Sequence, residues 1–480
     1  MGLNEQVAKS YLNGGWQAPD GAEVREIPNP ANVNEVVGRV VFADAALAEI
    51  AVQAARKACM AWRFTPSEKR RERLERLLQQ IRLHRETFAR IITRENGKTL
   101  SESLGEVEAS LKEAHFQLAY VADHLIEPHG SHRVQHEPLG VAALFTPWNF
   151  PLATVLRKMV PALMAGNTVV LKPSEFTSLT AAMLVGLMEE LEFPPGVVNL
   201  VLGEGPEVGP PIAQHPAVGA ISFTGSTRIG LELASSLGAR DVRFQGEMGG
   251  SNALIILEDA DLEAAVDAAV SNGFACCGQW CTGTGRVIVQ RQVYHPVLEM
   301  LVGRVRRIVV GNGMDAGVIM GPLISQHRRE KVEQAVNRAV QEGARVLVGG
   351  KRPQGSQYDR GYFYEPTILA DVTARMHASR EEIFGPVLVV MPADTPDEIL
   401  QLTNSSPYGL SVSIYTRDKA RAEGLVHRIE AGLCHLNLPT GYRDPALPLS
   451  GWKDSGRGWP EAGRYGLEFF TRPKAVYVHD

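Results

Sequence analysis

From residue 140 onward, short apolar runs alternate with helix-length segments, and this alternation restricts the chain to few folds. The runs are VAALF (141–145), TVVLK (168–172), VVNLVLG (197–203) and AISFTG (220–225). Between them lie residues 152–165, 177–191 and a shorter piece after Gly205. Strands alternating with helices predict βαβ units and a parallel sheet covered on both faces, an α/β class. Such sheets bind ligands beyond the carboxyl ends of their strands. The residues at those ends are Thr146, Pro147, Trp148 and Asn149; Lys172, Pro173, Ser174 and Glu175; Gly203, Glu204 and Gly205; and Thr224, Gly225 and Ser226. They are polar, glycine-rich or turn-forming, as a cofactor crevice requires.

A second series follows, with ALIIL (253–257), RVIVQ (286–290), PVLVVM (386–391) and VSIYT (412–416) as strands. The 480 residues exceed what one hydrophobic core usually supports, so two or more domains are expected. Upstream, an amphipathic helix is expected to open with Thr65 as cap, Pro66 in the first helical position and Glu68 closing a capping box. Leu74, Leu77, Leu78 and Ile81 would form its buried face. Residues 349–361 read as an exposed connection. The terminal run KAVYVH (474–479) reads as a strand with no obvious partner nearby, of the kind that pairs with another subunit.

Net charge of −5 and the absence of a long basic run give no reason to expect a nucleic-acid partner. The arginines of residues 69–94 alternate with glutamates as on the wet face of a helix. No apolar run is long enough to span a bilayer. The start MGLNEQVAKS has no signal-peptide core, and Gln6 breaks the myristoylation pattern. Five cysteines, an odd number in so long a chain, argue against a disulfide framework. A cytoplasmic location is expected.

Three of those cysteines fall within CCGQWCTGTGR (276–286). A structural zinc site needs four ligands, and no second Cys or His cluster completes this one, so no metal is expected. Cys276 and Cys277 follow AAVSNGFA in a segment that reads as helix, where buried cysteine packs as a small hydrophobe. Cys281 precedes small residues that let backbone and substrate approach, and it is the reactive candidate. Gly205 and Gly209, in GEGPEVG (203–209), form an imperfect dinucleotide fingerprint. Glu175 could accept hydrogen bonds from a ribose, with Lys172 beside it as donor.

The chain resembles the aldehyde dehydrogenase superfamily over essentially its whole length. The resemblance lies in FTPWNFP (145–151), GNTVVLKPSE (166–175), FTGST (223–227), GEMGG (246–250), GQWC (278–281), EEIFGPV (381–387) and WKDSGRG (452–458), in the family's order. It implies an aldehyde dehydrogenase-like fold and NAD(P)-dependent oxidation of an aldehyde to a carboxylate. Cys281 matches the nucleophile that forms a thiohemiacetal and then a thioester. Asn149 matches the amide that stabilises the oxyanion, and Glu247 the base that activates water. Thr146, Pro147, Trp148, Lys172, Ser174, Glu175, Phe223, Gly225, Ser226, Met248, Gly249, Glu382 and Phe384 match cofactor contacts. Ser251 departs from the family, which commonly has lysine there.

The carboxylate of Glu175 favours NAD, with NADP the alternative. The stretch LNLPTGYRDPALPLSGW (436–452) resembles 2-oxoglutarate-semialdehyde dehydrogenases, and Arg157 sits where succinate-semialdehyde dehydrogenases hold a carboxylate. Arg157 and Arg443 are therefore expected to grip a distal anion, with Trp280 and Thr282 also lining the substrate site. The alternatives are a broad-specificity aldehyde dehydrogenase and a catalytically silent relative with a binding role. By resemblance the subunit has an NAD(P)-binding domain (1–115 and 138–247), a catalytic domain (248–445), and an oligomerisation and C-terminal segment (116–137 and 446–480). It would assemble as a homodimer or homotetramer.

Overall fold

The computed structural model describes residues 7–479. Residues 1–6 lie outside the described residues, and with them most of the start on which the leader and myristoylation readings rest.

The first strand series forms the heart of an eight-stranded sheet. Its central five strands are all parallel: Arg243–Glu247, Val218–Thr224, Val141–Phe145, Thr168–Lys172 and Val198–Leu200, in that spatial order. The chain begins at Val141–Phe145 and winds outward first to one side and then to the other. The strand order therefore reverses between Val141–Phe145 and Val218–Thr224, which is where open α/β sheets bind ligands. These strands are almost wholly buried and rich in Val, Ile and Leu because helices cover both faces. Antiparallel strands finish the sheet: Ser10–Leu12 and Gly15–Gln17 on one edge, and Gly456–Gly458 on the other.

The second series builds a seven-stranded sheet around Asn252–Ile256. Thr284–Gln290, Val387–Ala393 and Thr367–Ala370 lie on one side, and Ser411–Tyr415 and Leu433–Leu436 on the other, all parallel, and the antiparallel strand Arg345–Val348 closes the edge beyond Thr367–Ala370. Residues 349–361 form an irregular, largely exposed connection.

Four expectations need correction. Thr65 does not cap the helix Ser67–Leu83; Pro66 occupies the cap position and the Thr65 hydroxyl donates to the Ala61 carbonyl (3.0 Å). The apolar face is as expected, with Leu74, Leu77, Leu78 and Ile81 fully buried. Arg70 leaves the wet face and is buried, donating to the Met164 carbonyl (3.0 Å). The terminal strand Thr471–Val476 does have a partner in its own chain, pairing antiparallel with His132–Pro138, which pairs in turn with Ile126–His129. Residues 132–138 carry few large apolar groups, so the run gave little sign of being a strand.

Cys276 and Cys277 are not helical. The helix Leu262–Phe274 ends before them, and both take left-handed backbone conformations (φ 52° and 56°), followed by Gly278 at φ 67°. A Cβ on Gly278 would lie 2.0 Å from the Gly385 carbonyl oxygen, so this turn requires glycine. The two cysteines are buried, as packing residues should be.

Candidate active site

The carboxyl ends of the first sheet's parallel strands face the amino ends of the second sheet's central strands across a cavity of about 630 Å³. The first sheet contributes Pro147, Trp148 and Asn149 after one strand, Gly225 and Ser226 after the next, and Glu247 at the end of a third. The second contributes Cys281, in the turn before Thr284–Gln290, together with Glu382, Phe384 and Arg443. A third wall is the 25-residue helix Leu100–His124, opened by the Thr99–Glu102 capping box. Its Glu102, Glu106 and Glu113, spaced four and seven residues apart, share the face toward the cavity.

Backbone packing brings the thiol and the acid together. A Cβ on Gly250 would stand 2.5 Å from the Cys281 carbonyl oxygen, so only glycine lets these segments meet. Asn252 then holds the cysteine turn, its side-chain amide donating to the carbonyls of Cys281 and Gly283 (both 2.7 Å). A Cβ on Gly249 would meet the Glu382 carboxylate at 2.3 Å, and the Gly250 N–H donates to that carboxylate (2.9 Å). The paired glycines thus serve close approach rather than open space. Asn149, 6% exposed, points its amide at the Gln279 carbonyl (3.0 Å), beside the cysteine turn.

Burial dominates the electrostatics. Cys281 is pushed up to about 12, first by desolvation and then by Glu382, with Arg157 pulling the other way. Its resting form at neutral pH is the thiol. Glu247 is also held well above the usual carboxylate range by desolvation and by Glu461, opposed by Lys158 and Arg443. One of its oxygens has no hydrogen-bond partner. Glu382 is raised to about 7 by burial.

The two candidate arginines differ sharply. Arg157 is committed: its Nε donates to Glu113 (2.8 Å) and an Nη lies 3.6 Å from Glu461, whose other oxygen accepts from the fully buried Lys158 (2.5 Å). Arg443 has no hydrogen-bond partner on any of its three nitrogens, all buried, and it lines the same cavity as Cys281. Both arginines line the cavity; Arg157 spends its Nε on Glu113 and faces Glu461 at 3.6 Å, whereas every nitrogen of Arg443 is without a hydrogen-bond partner. Glu113 lies on a neighbouring helix, not on the helix of Arg157 itself.

Of the remaining candidates, Trp280 packs against Phe150 (ring centroids 5.6 Å apart), and Thr282 is buried; both line the cavity. Trp148 and Phe384 meet edge to face (5.5 Å), with Phe384 at φ 52°. Thr146 and Thr224, at the ends of the two strands flanking the reversal, keep buried hydroxyls without partners. Lys172 and Glu175 form a pair at 3.5 Å, and Ser174 caps the short turn between them and the next helix. Phe223 and Met248 are buried; a Cβ on Gly225 would strike the Phe223 ring (2.6 Å). Ser226 precedes the helix Thr227–Ser236 without making a side-chain cap. Gly205 opens the helix Gly205–Gln214, but a side chain on Gly209 would meet open space, so nothing there demands glycine. Ser251 is buried and its carbonyl accepts two bonds from Arg286 (3.0 and 2.7 Å).

Sequence reading missed Lys98, Glu102, Glu106, Glu113, Lys158, Glu461 and Arg328. Arg328 donates to the Ile383 and Phe384 carbonyls (2.7 and 2.9 Å) and stacks on the Phe384 ring. Only Glu102 carried a local signal, its place in a capping box. Among the described residues no metal-binding cluster is present, and no helix is long and apolar enough to cross a membrane.

An open parallel sheet with a strand reversal, facing a thiol, an amide and a carboxyl group across one cavity, has the layout of a dinucleotide-binding enzyme. The sequence profile of the Aldehyde dehydrogenase family matches residues 16–476, and the chain belongs to that family. It is 36% identical to an alpha-ketoglutaric semialdehyde dehydrogenase of Bacillus subtilis, over 98% of this chain and 97% of that protein. It is 39% identical to a 3-succinoylsemialdehyde-pyridine dehydrogenase of a Pseudomonas species, over 98% of each. Its structure matches the crystal structure of betaine aldehyde dehydrogenase from Staphylococcus aureus in complex with NAD+, with TM-score 0.94 and 35% identity, covering 98% of this chain and 94% of that one.

Proposed function

We propose that this protein oxidises a short aldehyde carrying a distal carboxylate, or a comparable anion such as a sulfonate, to the corresponding acid, with NAD as oxidant. The observation that carries the anionic substrate is Arg443, a buried guanidinium without a partner in the cavity of Cys281. Unpaired buried charge is costly, so a ligand that pairs with it gains what the free protein lacks. Arg157 and Lys158 are matched in ion pairs by Glu113 and Glu461, which leaves the unpartnered guanidinium of Arg443 in excess of those pairs. That excess suits succinate or 2-oxoglutarate semialdehyde and opposes a quaternary ammonium such as betaine aldehyde.

The chemistry follows from the placement of the groups. The Cys281 thiol releases its proton to solvent as its sulfur adds to the aldehyde carbon, and the Asn149 amide donates to the oxygen that gains charge. NAD, when bound, accepts the hydride that leaves this carbon. Glu247 then takes a proton from water as the water attacks the Cys281 thioester, releasing acid and free thiol. The residues present fit the dinucleotide: Thr146 and Thr224 offer unpartnered hydroxyls at the strand reversal, and Glu382 and Glu175 offer carboxylates to ribose hydroxyls. Glu175 would repel a 2′-phosphate, which favours NAD over NADP.

We further propose the three-part subunit expected from the sequence, located in the cytoplasm and assembled as a homo-oligomer through the free edge of Thr471–Val476. The substrate proposal is tested by steady-state rates with succinate semialdehyde, 2-oxoglutarate semialdehyde, butanal and betaine aldehyde. The anionic pair should show the highest kcat/KM; a preference for butanal or betaine aldehyde would overturn it.

A further inference from the structure

Lys98 is fully buried and lies outside the motifs that mark the reaction. Its ammonium donates to the Glu106 carboxylate (2.7 Å) and to the backbone carbonyl of Asn149 (2.6 Å), and stands 4.1 Å over the Phe150 ring. The other oxygen of Glu106 accepts the N–H groups of Leu152 and Ala153 (2.9 and 3.2 Å). Those groups open the helix Ala153–Met164, which has no side-chain cap of its own. Asn96 donates to the Trp148 carbonyl (2.8 Å). One turn before Glu106, Glu102 accepts the N–H of Cys276 (2.7 Å), at the start of the turn that carries Cys281. Residues 96–106 therefore grip the Asn149 segment and the cysteine segment, which come from different sheets.

We propose that Lys98 is a positioning residue for aldehyde oxidation: it fixes the backbone of Asn149 so that the side-chain amide meets the oxygen of the Cys281 adduct. The inference rests on the reading of Asn149 as oxyanion donor. Stability alone does not account for Lys98, since a buried ammonium–carboxylate pair is often matched by apolar residues of the same volume. What an apolar residue cannot supply is a donor to the Asn149 carbonyl, and misplacement of about 1 Å can cost on the order of 100-fold in rate.

The test is a double-mutant cycle between Lys98→Met and Asn149→Ala, with rates expressed per NAD-binding site counted by fluorescence quenching. Lys98→Met should lower kcat by about 10- to 100-fold, while the KM for NAD and the rate of Cys281 alkylation by iodoacetamide, which builds no oxyanion, stay within about 3-fold. In the Asn149→Ala background the same change should cost less than about 3-fold. Lys98→Arg, which keeps the charge facing Glu106 but not the ammonium geometry, reads the same cycle where the methionine variant does not fold. Equal losses in both backgrounds, or alkylation falling in parallel with kcat, would overturn the inference. Full activity of Asn149→Ala alone would instead remove the oxyanion reading beneath it.

Discussion

Replacing Arg443 with methionine removes a charge while keeping much of the volume, and the structure sets the size of the effect. The guanidinium has no hydrogen-bond partner among the described residues, so the free protein loses no bond. Its burial already opposes its charge, so the variant should be at least as stable as the wild type, seen as an unchanged or raised thermal midpoint. A bound carboxylate, by contrast, loses two charge-assisted hydrogen bonds, each worth about 1.5–3 kcal/mol. Substrate desolvation offsets part of this, leaving about 2–4 kcal/mol, or roughly 30- to 1000-fold in kcat/KM. Butanal makes no such bond and should change by less than about 3-fold. NADH formation under kcat/KM conditions, with succinate semialdehyde and butanal in both proteins, gives the ratio directly. The same preference for the semialdehyde in wild type and Arg443→Met would refute the reasoning, whatever happened to the absolute rates.

Three further outcomes follow from the site. Cys281→Ala should abolish oxidation of every aldehyde while NAD still binds, measured by turnover and by fluorescence titration; persisting turnover would place the nucleophile elsewhere. Glu247→Gln should keep a burst of NADH equal to the number of sites but slow steady turnover by about 100- to 10,000-fold, since only thioester hydrolysis needs the base; loss of the burst as well would contradict that division. Because Cys281 titrates at about 12, its alkylation by iodoacetamide in the free protein should rise about tenfold per pH unit from pH 7 to beyond pH 9; a plateau by pH 8 would show the thiolate already formed.

The parts legible in the sequence are those set by local pattern. Parallel strands buried on both faces appear as unbroken apolar runs, so the central strands of both sheets could be placed within a few residues. The polar carboxyl ends of the first series then marked the crevice before any motif was considered, whereas the second sheet meets it with its amino ends, which the sequence reading did not single out. Cys281 stood out because small residues follow it. Local pattern failed where a distant segment decides the backbone. Cys276 and Cys277 continue a helical composition, yet Gly385 packs on Gly278 and turns the chain out of the helix. Thr65 has capping chemistry, but its hydroxyl finds the Ala61 carbonyl first. Lys158 and Glu461 are 303 residues apart in sequence, so nothing near either one announces the pair. The Arg157–Glu113 pair escaped notice for the same reason: Glu113 comes from another helix, 44 residues away.

Burial pushes both reacting groups of the resting site toward their neutral forms, the thiol of Cys281 and the carboxyl of Glu247, and the nearby cations oppose this. Arg443 and Lys158 pull Glu247 down toward its ionised form, whereas Glu461 pushes it up. An anionic substrate paired with Arg443 cancels one of the two helpful charges, so Glu247 should titrate higher during turnover of a semialdehyde than during turnover of butanal. A base works only when ionised, so the acid limb of kcat should lie at higher pH for the semialdehyde. In Arg443→Met the cation is absent with either substrate, so both acid limbs should move to higher pH, the semialdehyde's furthest because its own anion is then uncompensated. Sign and identity are both tested by pH profiles of kcat under conditions where hydrolysis limits turnover. Wild-type profiles that already coincide, or a variant whose limb moves to lower pH, would show that Arg443 does not act on Glu247.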